Sequence, residues 1–323
     1  MREITFSQAT LEAMSEEMER DSRVFVMGED IARQGGIFGQ FKGLPDKFGT
    51  DRVLDTPISE TAIVGAAVGA ALAGMRPVAD MHFADFMGVC MDEIFNQMAK
   101  IRYMFGGQTT VPVVVRAPDG IASRAAAQHS QSVEAWFAHI PGLKVVTPSN
   151  PADAKGLLKS AIRDDNPIIY FENKILFKQK GPVPDGEYLV PIGKANVIRE
   201  GKDVTIVSYS IMVQQALKAA DILEKDGISV EVVDLRTITP IDKETILESV
   251  KKTHRLVIAH EAVKSFGVGA EISAMVAEEA IEYLDAPVLR FGAPFTPVPF
   301  APTLEDAYKV YGEDIAKGIR KMF

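Results

Sequence analysis

The sequence predicts an α/β protein in which a parallel sheet is covered by helices on both faces, followed by a second, smaller α/β unit. Short apolar segments such as residues 24–27 alternate with helical segments along almost the whole chain. Strands that are apolar on both sides are typical of parallel sheets, because neither face meets water. The alternation restarts after residues 181–186, which are rich in proline and glycine and indicate a boundary.

The individual elements follow from these patterns, and they define domains at residues 1–180 and 181–323. In the first domain, strands are predicted at 24–27, 52–54, 77–81, 111–116, 143–146 and 167–171, and helices at 8–20, 61–74, 85–105 and 151–164. A Gly/Ala/Ser loop is predicted at 119–127. In the second domain, strands are predicted at 204–209, 229–234, 255–260 and 286–291, and helices at 212–225, 242–252, 269–283 and 304–322.

Composition argues against several classes of protein. The 323 residues carry a net charge of −9, so we expect no nucleic-acid partner. The single cysteine, Cys90, permits no disulfide within the chain and is expected to be a buried, unreactive thiol. No signal peptide is visible, and the apolar stretch 61–75 is too short to span a membrane. We therefore expect a cytoplasmic protein with no membrane partner.

Glu60 is the first candidate functional residue because it precedes a helix made of small apolar residues, 61–74. A helix that is apolar on all sides is normally buried, which would place the Glu60 carboxyl in or beside a core. A buried carboxyl is costly unless it is paired or protonated, and a protonated carboxyl can donate a hydrogen bond. The alternative is that Ser59 or Glu60 only caps the helix and interacts with its positive end.

His129 is the second candidate. The five histidines form no metal-binding spacing, and phosphate-loop, dinucleotide-binding and serine-elbow motifs are absent from the sequence. His129 lies between the predicted loop and a helix, and loops after parallel strands are where open α/β sheets bind ligands. An imidazole there can exchange protons near neutral pH. A helix cap or a loop hydrogen bond explains the same position equally well.

Glu60 together with the segment 128–132 makes the chain similar to a known family. It resembles the beta subunit of the thiamine-diphosphate-dependent dehydrogenase component of 2-oxo acid and acetoin dehydrogenase complexes. The motifs, which span nearly the whole chain, are residues 28–30, 52–60, 102–107, 128–132, 141–146, 153–157, 160–167 and 234–242. The resemblance implies a transketolase-like pyrimidine-binding domain in residues 1–180 and a transketolase C-terminal domain in residues 181–323.

The resemblance also implies roles for individual residues at a thiamine diphosphate site shared with an alpha subunit. Glu60 would hydrogen-bond N1′ of the aminopyrimidine and shift the ring toward its imino form, whose exocyclic nitrogen removes the thiazolium C2 proton. Ile58 and Glu29 fall at cofactor-side positions. Phe86 would pack on the pyrimidine, with an ordinary core position as the alternative. His129 would stabilise intermediates or help to pass the acyl group to a lipoyl arm.

The partners implied by the resemblance follow from a missing motif. Family alpha subunits hold the diphosphate through Mg²⁺ with a Gly-Asp-Gly motif, which this sequence lacks. The resemblance therefore implies an α2β2 heterotetramer, active only with its alpha subunit, and a lipoyl-bearing acyltransferase as a further partner.

A structural K⁺ site is implied for some relatives. Its ligands here would be Val113, Ala161, Ile162, Asp164 and Asn166, which offer oxygens suited to a hard cation. A helix C-terminus followed by a turn explains the segment 161–166 equally well.

The substrate class is less sharply indicated. Residues 102–107, 124–132 and 293–300 look most similar to acetoin dehydrogenase beta chains, and pyruvate-type chains share most of the remaining motifs. We therefore expect a subunit that acts on acetoin or pyruvate. The alternatives are a branched-chain 2-oxo acid dehydrogenase beta subunit and a non-catalytic assembly subunit of the same fold. A stand-alone transketolase-like enzyme would need a longer chain that includes the diphosphate module.

Overall fold

The computed structural model describes residues 1–122 and 124–323, and these form two compact units. One unit comprises residues 1–119 and 136–192, and the other comprises residues 120–135 and 193–323. The α/β fold class is confirmed by parallel sheets in both units. The segment 120–135, which the predicted division assigns to the first domain, groups with the second unit. Ser123 of the predicted loop lies outside the described residues.

The first unit is built around one parallel sheet. Its elements are β1 (Arg2–Thr5), α1 (Phe6–Arg20), β2 (Val24–Gly28), α2 (Leu44–Phe48), β3 (Val53–Asp55), α3 (Glu60–Leu72), β4 (Arg76–Asp80), α4 (Ile101–Met104), β5 (Val114–Asp119), α5 (Glu134–Ala138), β6 (Lys144–Val146), α6 (Pro151–Arg163), β7 (Ile168–Asn173) and β8 (Lys180–Val183). Strands β6, β7, β5, β4, β2 and β3 are neighbours in that order and run parallel. β1 and β8 form a separate antiparallel pair.

The register of the sheet brings three strand ends together. Gly28, the last residue of β2, pairs with Asp55 at the end of β3 and with Asp80 at the end of β4. The loops that follow these strands therefore leave from one edge of the sheet. In open parallel sheets this carboxyl-end edge is where ligands bind.

The prediction of one long helix at 85–105 is wrong. The segment is divided into a 3₁₀ turn at Ala84–Gly88, a π-helical turn at Glu93–Met98 and the short helix α4. Gly88 lowers the helix propensity at the first break. The carbonyl of Val89 accepts a hydrogen bond from the Thr61 hydroxyl at 3.1 Å, which ties this segment to the first turn of α3.

The prediction that α3 is buried on all sides is also wrong, since in the isolated chain only one face of this helix is buried. Its buried face consists of Ile63, Val64, Ala67, Val68 and Ala71. The opposite face is exposed although it is apolar, and it includes Ala62, Ala66, Gly69 and Leu72. An exposed apolar helix face of this kind is typical of a surface that another protein covers.

The second unit contains its own sheet. Its elements are β9 (Asn196–Arg199), β10 (Val204–Ser208), α7 (Met212–Glu224), β11 (Val230–Asp234), β12 (Thr237–Thr239), α8 (Lys243–Thr253), β13 (Leu256–Val263), α9 (Val268–Glu279), β14 (Leu289–Ala293), α10 (Pro302–Tyr308) and α11 (Gly312–Ile319). Strands β14, β13, β10, β11 and β9 are neighbours in that order, and only β9 is antiparallel among them. β9 was not predicted, because its half-buried edge position leaves it without a continuous apolar run.

The helix predicted at 304–322 is two helices, α10 and α11. The chain is extended at Tyr311 between them. Gly312 then approaches α7 so closely that a Cβ atom on it would lie 2.9 Å from the Gln215 carbonyl oxygen. This close approach requires a glycine at the start of α11 and fixes the new helix direction.

Cys90 is fully buried, as predicted, and burial raises the pKa of its thiol to about 12. We expect iodoacetamide at pH 8 to leave Cys90 unmodified in the native protein, because the reactive thiolate is scarce and shielded. Mass spectrometry of the chain should show one alkylated thiol only after unfolding in guanidinium chloride. Rapid alkylation of the native protein would contradict this placement.

No helix in the described parts of the chain is both long and apolar enough to cross a membrane.

Candidate active site

Glu29, Ile58, Glu60 and Phe86 all lie in the segments that follow the adjacent strands β2, β3 and β4. Glu29 comes directly after β2, whereas Ile58 and Glu60 follow β3. Phe86 lies in the 3₁₀ turn after β4. The structure therefore brings four of the five residues that the sequence singled out to one edge of one sheet. His129 belongs to the second unit.

Glu60 is the first residue of α3, and its side chain is half-buried rather than buried. Ser59 precedes the helix but makes no side-chain capping hydrogen bond. The alternative in which Ser59 caps α3 is therefore not supported. The Glu60 carboxylate at this helix start is stabilised by the helix dipole and remains accessible. Ile58, two residues earlier, is 82% exposed and presents an aliphatic side chain beside it.

Glu29 is a buried carboxyl in the immediate electrostatic environment of Glu60. Burial raises the pKa of Glu29, and the negative charge of Glu60 raises it further. His82 opposes this shift, since its Nδ1 lies 3.3 Å from Glu29 Oε2 and its Nε2 lies 2.9 Å from the Glu29 main-chain oxygen. The charged form of Glu29 is therefore disfavoured at this position.

Phe86 is half-buried at the end of a row of aromatic rings. Its ring packs edge-on against Phe83 with centroids 5.5 Å apart, and Phe83 packs in the same way against Phe38 at 5.9 Å. Phe38 in turn contacts Phe177 at 5.2 Å. Phe83 packs against one side of the Phe86 ring, and part of the Phe86 ring remains exposed. A ring held in this way is suited to packing against a flat ligand.

Sequence reasoning missed a buried charged cluster next to this edge. Asp80, the last residue of β4, is 1% exposed, and neither of its carboxyl oxygens has a hydrogen-bond partner among the described residues. Burial raises the pKa of Asp80 to about 8, and Glu172 and Glu29 add to the effect while Arg116 opposes it. Arg116 forms a fully buried ion pair with Glu172 at 2.7 Å. The available sequence pattern was a charged residue inside the otherwise apolar strand predicted at 77–81.

Replacement of Asp80 by asparagine is expected to change how stability depends on pH. The pKa of Asp80 is higher in the folded chain than in the unfolded chain, so protonation of Asp80 stabilises the folded state. This stabilisation is fully present below about pH 4. That contribution is lost as the pH rises through about 8. Asp80→Asn cannot ionise and should flatten the profile of melting temperature between pH 6 and 9, an effect on the order of 1 kcal/mol. The exposed Asp51→Asn is the control, and equal profiles for all three proteins would contradict the assignment.

His129 is half-exposed in the segment 120–135, where its main-chain N–H donates to the Ala126 carbonyl at 3.4 Å. Arg124 anchors this segment to α10 through hydrogen bonds of 2.8 and 3.1 Å to Asp306 and of 2.9 Å to Glu305. The φ angles of Arg124 and Ala126 are +58° and +60°, a left-handed conformation that non-glycine residues rarely adopt. The described residues of this segment are therefore tied to α10 through Arg124, five positions before His129.

The oxygens proposed for a K⁺ site are already engaged. The Ile162 carbonyl accepts a hydrogen bond from Arg76 Nε at 2.8 Å, and the Val113 carbonyl accepts one from the Ile168 N–H at 2.9 Å. The Asp164 carboxylate is paired with Lys144, and Asn166 Oδ1 accepts from Arg102 at 2.5 Å. Positive side chains lie where a cation would need open oxygens. A helix end followed by a turn accounts for these contacts, and the K⁺ site, which would use the second lone pair of each carbonyl, stays a prediction.

The residues at the sheet edge do fit an aminopyrimidine ring. An accessible carboxyl is present to hydrogen-bond a ring nitrogen, and an exposed aliphatic side chain and a braced aromatic ring are present to pack on the ring faces. Binding sites for flat heterocycles combine a few polar groups with apolar walls in this way.

Comparison with known proteins agrees with this chemistry. The family described as "Transketolase, pyrimidine binding domain" matches residues 2–180, and "Transketolase, C-terminal domain" matches residues 193–315. A solved chain titled "Split gene transketolase, inactive beta4 tetramer" superposes with a TM-score of 0.82 at 25% identity, covering 99% of this chain and 98% of that one.

Three curated relatives match almost the whole chain. The beta subunit of the acetoin:2,6-dichlorophenolindophenol oxidoreductase of Cupriavidus necator is 52% identical, covering 99% of this chain and 97% of the relative. The 2-oxoisovalerate dehydrogenase subunit beta of Bacillus subtilis is 49% identical, with 96% and 95% covered. The pyruvate dehydrogenase E1 component subunit beta of Rickettsia felis is 48% identical, with 99% and 98% covered. The chain therefore belongs to the transketolase-like beta subunits of the thiamine-diphosphate-dependent acetoin and 2-oxo acid dehydrogenases.

Proposed function

We propose that this chain is the beta subunit of a dehydrogenase that cleaves acetoin or oxidatively decarboxylates a 2-oxo acid of the pyruvate type, and passes the acyl group to a lipoyl domain. The observation that supports this most directly is the accessible Glu60 carboxyl at the start of α3, which shares the sheet edge with Glu29, Ile58 and Phe86. That combination fits the aminopyrimidine of thiamine diphosphate.

Glu60 has the central role in this proposal. Its carboxyl hydrogen-bonds the pyrimidine N1′ and takes part in the proton exchange that shifts the ring toward its imino form. Phe86 and Ile58 orient the ring through its faces. Thiamine diphosphate held there would supply the nucleophilic carbon and the stabilisation of negative charge that cleavage of the substrate needs.

An alpha subunit supplies the rest of the site. The sequence contains no Gly-Asp-Gly motif, so in this proposal the alpha subunit holds the diphosphate and Mg²⁺, and the assembly is an α2β2 heterotetramer. The exposed apolar face of α3 supports a large contact with another chain, since isolated surfaces rarely leave such a face in water. Tyr103, Met104 and Phe105 extend the exposed apolar surface of the same unit, with exposures of 85%, 74% and 61%.

His129 acts on the acyl group in this proposal. A half-exposed imidazole can exchange a proton with the sulfur of a lipoyl arm or with a developing oxyanion. The lipoyl-bearing acyltransferase is the partner that receives the acyl group.

The substrate is proposed from similarity alone, since relatives named for acetoin, 2-oxoisovalerate and pyruvate are 52%, 49% and 48% identical. A second relative named for acetoin is 48% identical, so the identities alone do not rank the substrates. A branched-chain 2-oxo acid remains the second candidate because the relative named for 2-oxoisovalerate is about as similar to this chain as the others.

Co-expression with an alpha subunit tests the proposal. The purified complex should reduce an artificial electron acceptor only when thiamine diphosphate, Mg²⁺ and one of acetoin, pyruvate or 3-methyl-2-oxobutanoate are present. The beta chain alone should not turn over any of them. Assembly without turnover of any of these substrates would favour the non-catalytic alternative, and turnover by the beta chain alone would contradict the shared site.

A further inference from the structure

Close to His129 in the sequence, the second unit contains a buried polar cluster that the proposed function does not use. Glu134, five residues after His129, is 1% exposed, and its Oε1 accepts a hydrogen bond of 2.5 Å from the Tyr209 hydroxyl. Its Oε2 has no partner in the part of the chain that the structure describes. Burial raises the pKa of Glu134, and the Tyr209 hydrogen bond only partly offsets this. Burial therefore disfavours the charged form of Glu134, which remains a hydrogen-bond acceptor through Oε1.

Tyr209 is itself braced by His260. The two rings are stacked with centroids 6.2 Å apart and an interplanar angle of 21°. The His260 Nδ1 lies 3.1 Å from the Ala262 carbonyl, which can only accept, so Nδ1 carries the proton. Gly267 and Gly292 enclose the imidazole so closely that a Cβ on either would approach its Cε1 to 2.6 and 2.9 Å.

Two further contacts hold the same segment. Arg124 binds Asp306 and Glu305 of α10 before His129, and after it the Ser132 hydroxyl donates to Glu261 Oε2 of β13 at 3.4 Å. The Glu134–Tyr209 bond is shorter and more buried than the Ser132–Glu261 bond. It therefore constrains the path of the chain at His129 more strongly than the Ser132 contact does.

We infer that Glu134 and Tyr209 are positioning residues for His129, because their buried hydrogen bond fixes the His129 segment on the sheet of the second unit. The inference rests on the proposed role of His129 in acyl transfer. It predicts that this hydrogen bond controls transfer to the lipoyl arm and leaves the steps at the pyrimidine unaffected.

The test uses the α2β2 complex with a free lipoyl domain as the acyl acceptor and, in parallel, a dye as the electron acceptor. Tyr209→Phe removes the donor and should lower kcat/KM for lipoyl-domain acylation about tenfold, with less than a twofold change in dye-linked turnover. Glu134→Gln retains an acceptor oxygen for Tyr209 in a side chain of the same shape and should stay within about twofold of the unaltered complex in both assays. The matched control is Tyr170→Phe, which removes a buried tyrosine hydroxyl that donates to the Ala154 carbonyl at 2.7 Å in the first unit.

A second comparison separates positioning from general destabilisation. In a His129→Ala background, Tyr209→Phe should cause no further loss of acylation, because it acts through a residue that is already absent. Additive losses, equal losses with both acceptors, or a loss in Glu134→Gln as large as in Tyr209→Phe would each overturn the inference. If His129→Ala alone leaves acylation unchanged, the proposed role of His129 fails and the inference fails with it.

Discussion

Glu60→Gln is expected to leave the assembled complex intact and to lower turnover by about 100-fold to 10,000-fold, the range typical of a lost general acid or base. Glutamine has nearly the same shape as glutamate and can still hydrogen-bond a ring nitrogen, but it cannot give up or regain a proton. Glu60 is half-buried at the first turn of α3, so the substitution should disturb little packing. The loss should therefore appear in kcat, with thermal stability almost unchanged.

The measurement is dye-linked turnover at saturating thiamine diphosphate, together with exchange of the cofactor's C2 proton for deuterium. Both rates should fall together if Glu60 activates the pyrimidine. Glu244→Gln is a matched control, because Glu244 also lies in the first turn of a helix, α8, and its side chain is 76% exposed. Near-normal C2 exchange in Glu60→Gln would contradict the role assigned to Glu60.

His129→Ala is the second large expected effect. Lipoyl-domain acylation should fall by about 100-fold, because a proton-transfer group near the acyl acceptor is lost. The dissociation constant of thiamine diphosphate should change by less than about threefold, since the pyrimidine-binding residues lie in the other unit and are unaltered. Single-turnover acylation of the lipoyl domain and cofactor titration measure the two quantities separately.

His139→Ala is the control for this experiment, because His139 is an exposed histidine ten positions further along the chain. It should leave both quantities unchanged. Loss of cofactor affinity in His129→Ala without loss of acylation would indicate a structural role for His129 and would remove it from the proposed chemistry.

Much of the sheet architecture could be predicted from the sequence. Buried parallel strands must be apolar on both sides, so segments such as those that became β2, β10 and β11 are visible as uninterrupted apolar runs. β1, β8 and β9 were missed because short strands at sheet edges lack this pattern. The predictions of one continuous helix at 85–105 and at 304–322 were wrong, because tertiary contacts of Val89 and Gly312 override the local preference for helix.

The candidate site also contains some residues that the sequence identified and others that only the structure revealed. Glu29, Ile58, Glu60 and Phe86 could be named from motifs, since each follows an apolar strand in a recognisable stretch of sequence. The buried partners His82, Asp80, Glu134 and Tyr209 could not, because their contacts join residues that are far apart along the chain or depend on burial. The sequence does not show whether the side chain of a polar residue after a strand is exposed to water or buried in the core.

The sequence by itself therefore determined the α/β class, the positions of most buried strands along the chain, and the chemical identity of the residues that follow the strands of the first sheet. These features depend on local periodicity and on residue type. Only the tertiary structure decided that α3 leaves an apolar face exposed, that the His129 segment belongs to the second unit, and that the oxygens near Ile162 are occupied by Arg76. Each of these depends on which surfaces meet in three dimensions, and the free energy of such contacts is not encoded in any short stretch of the chain.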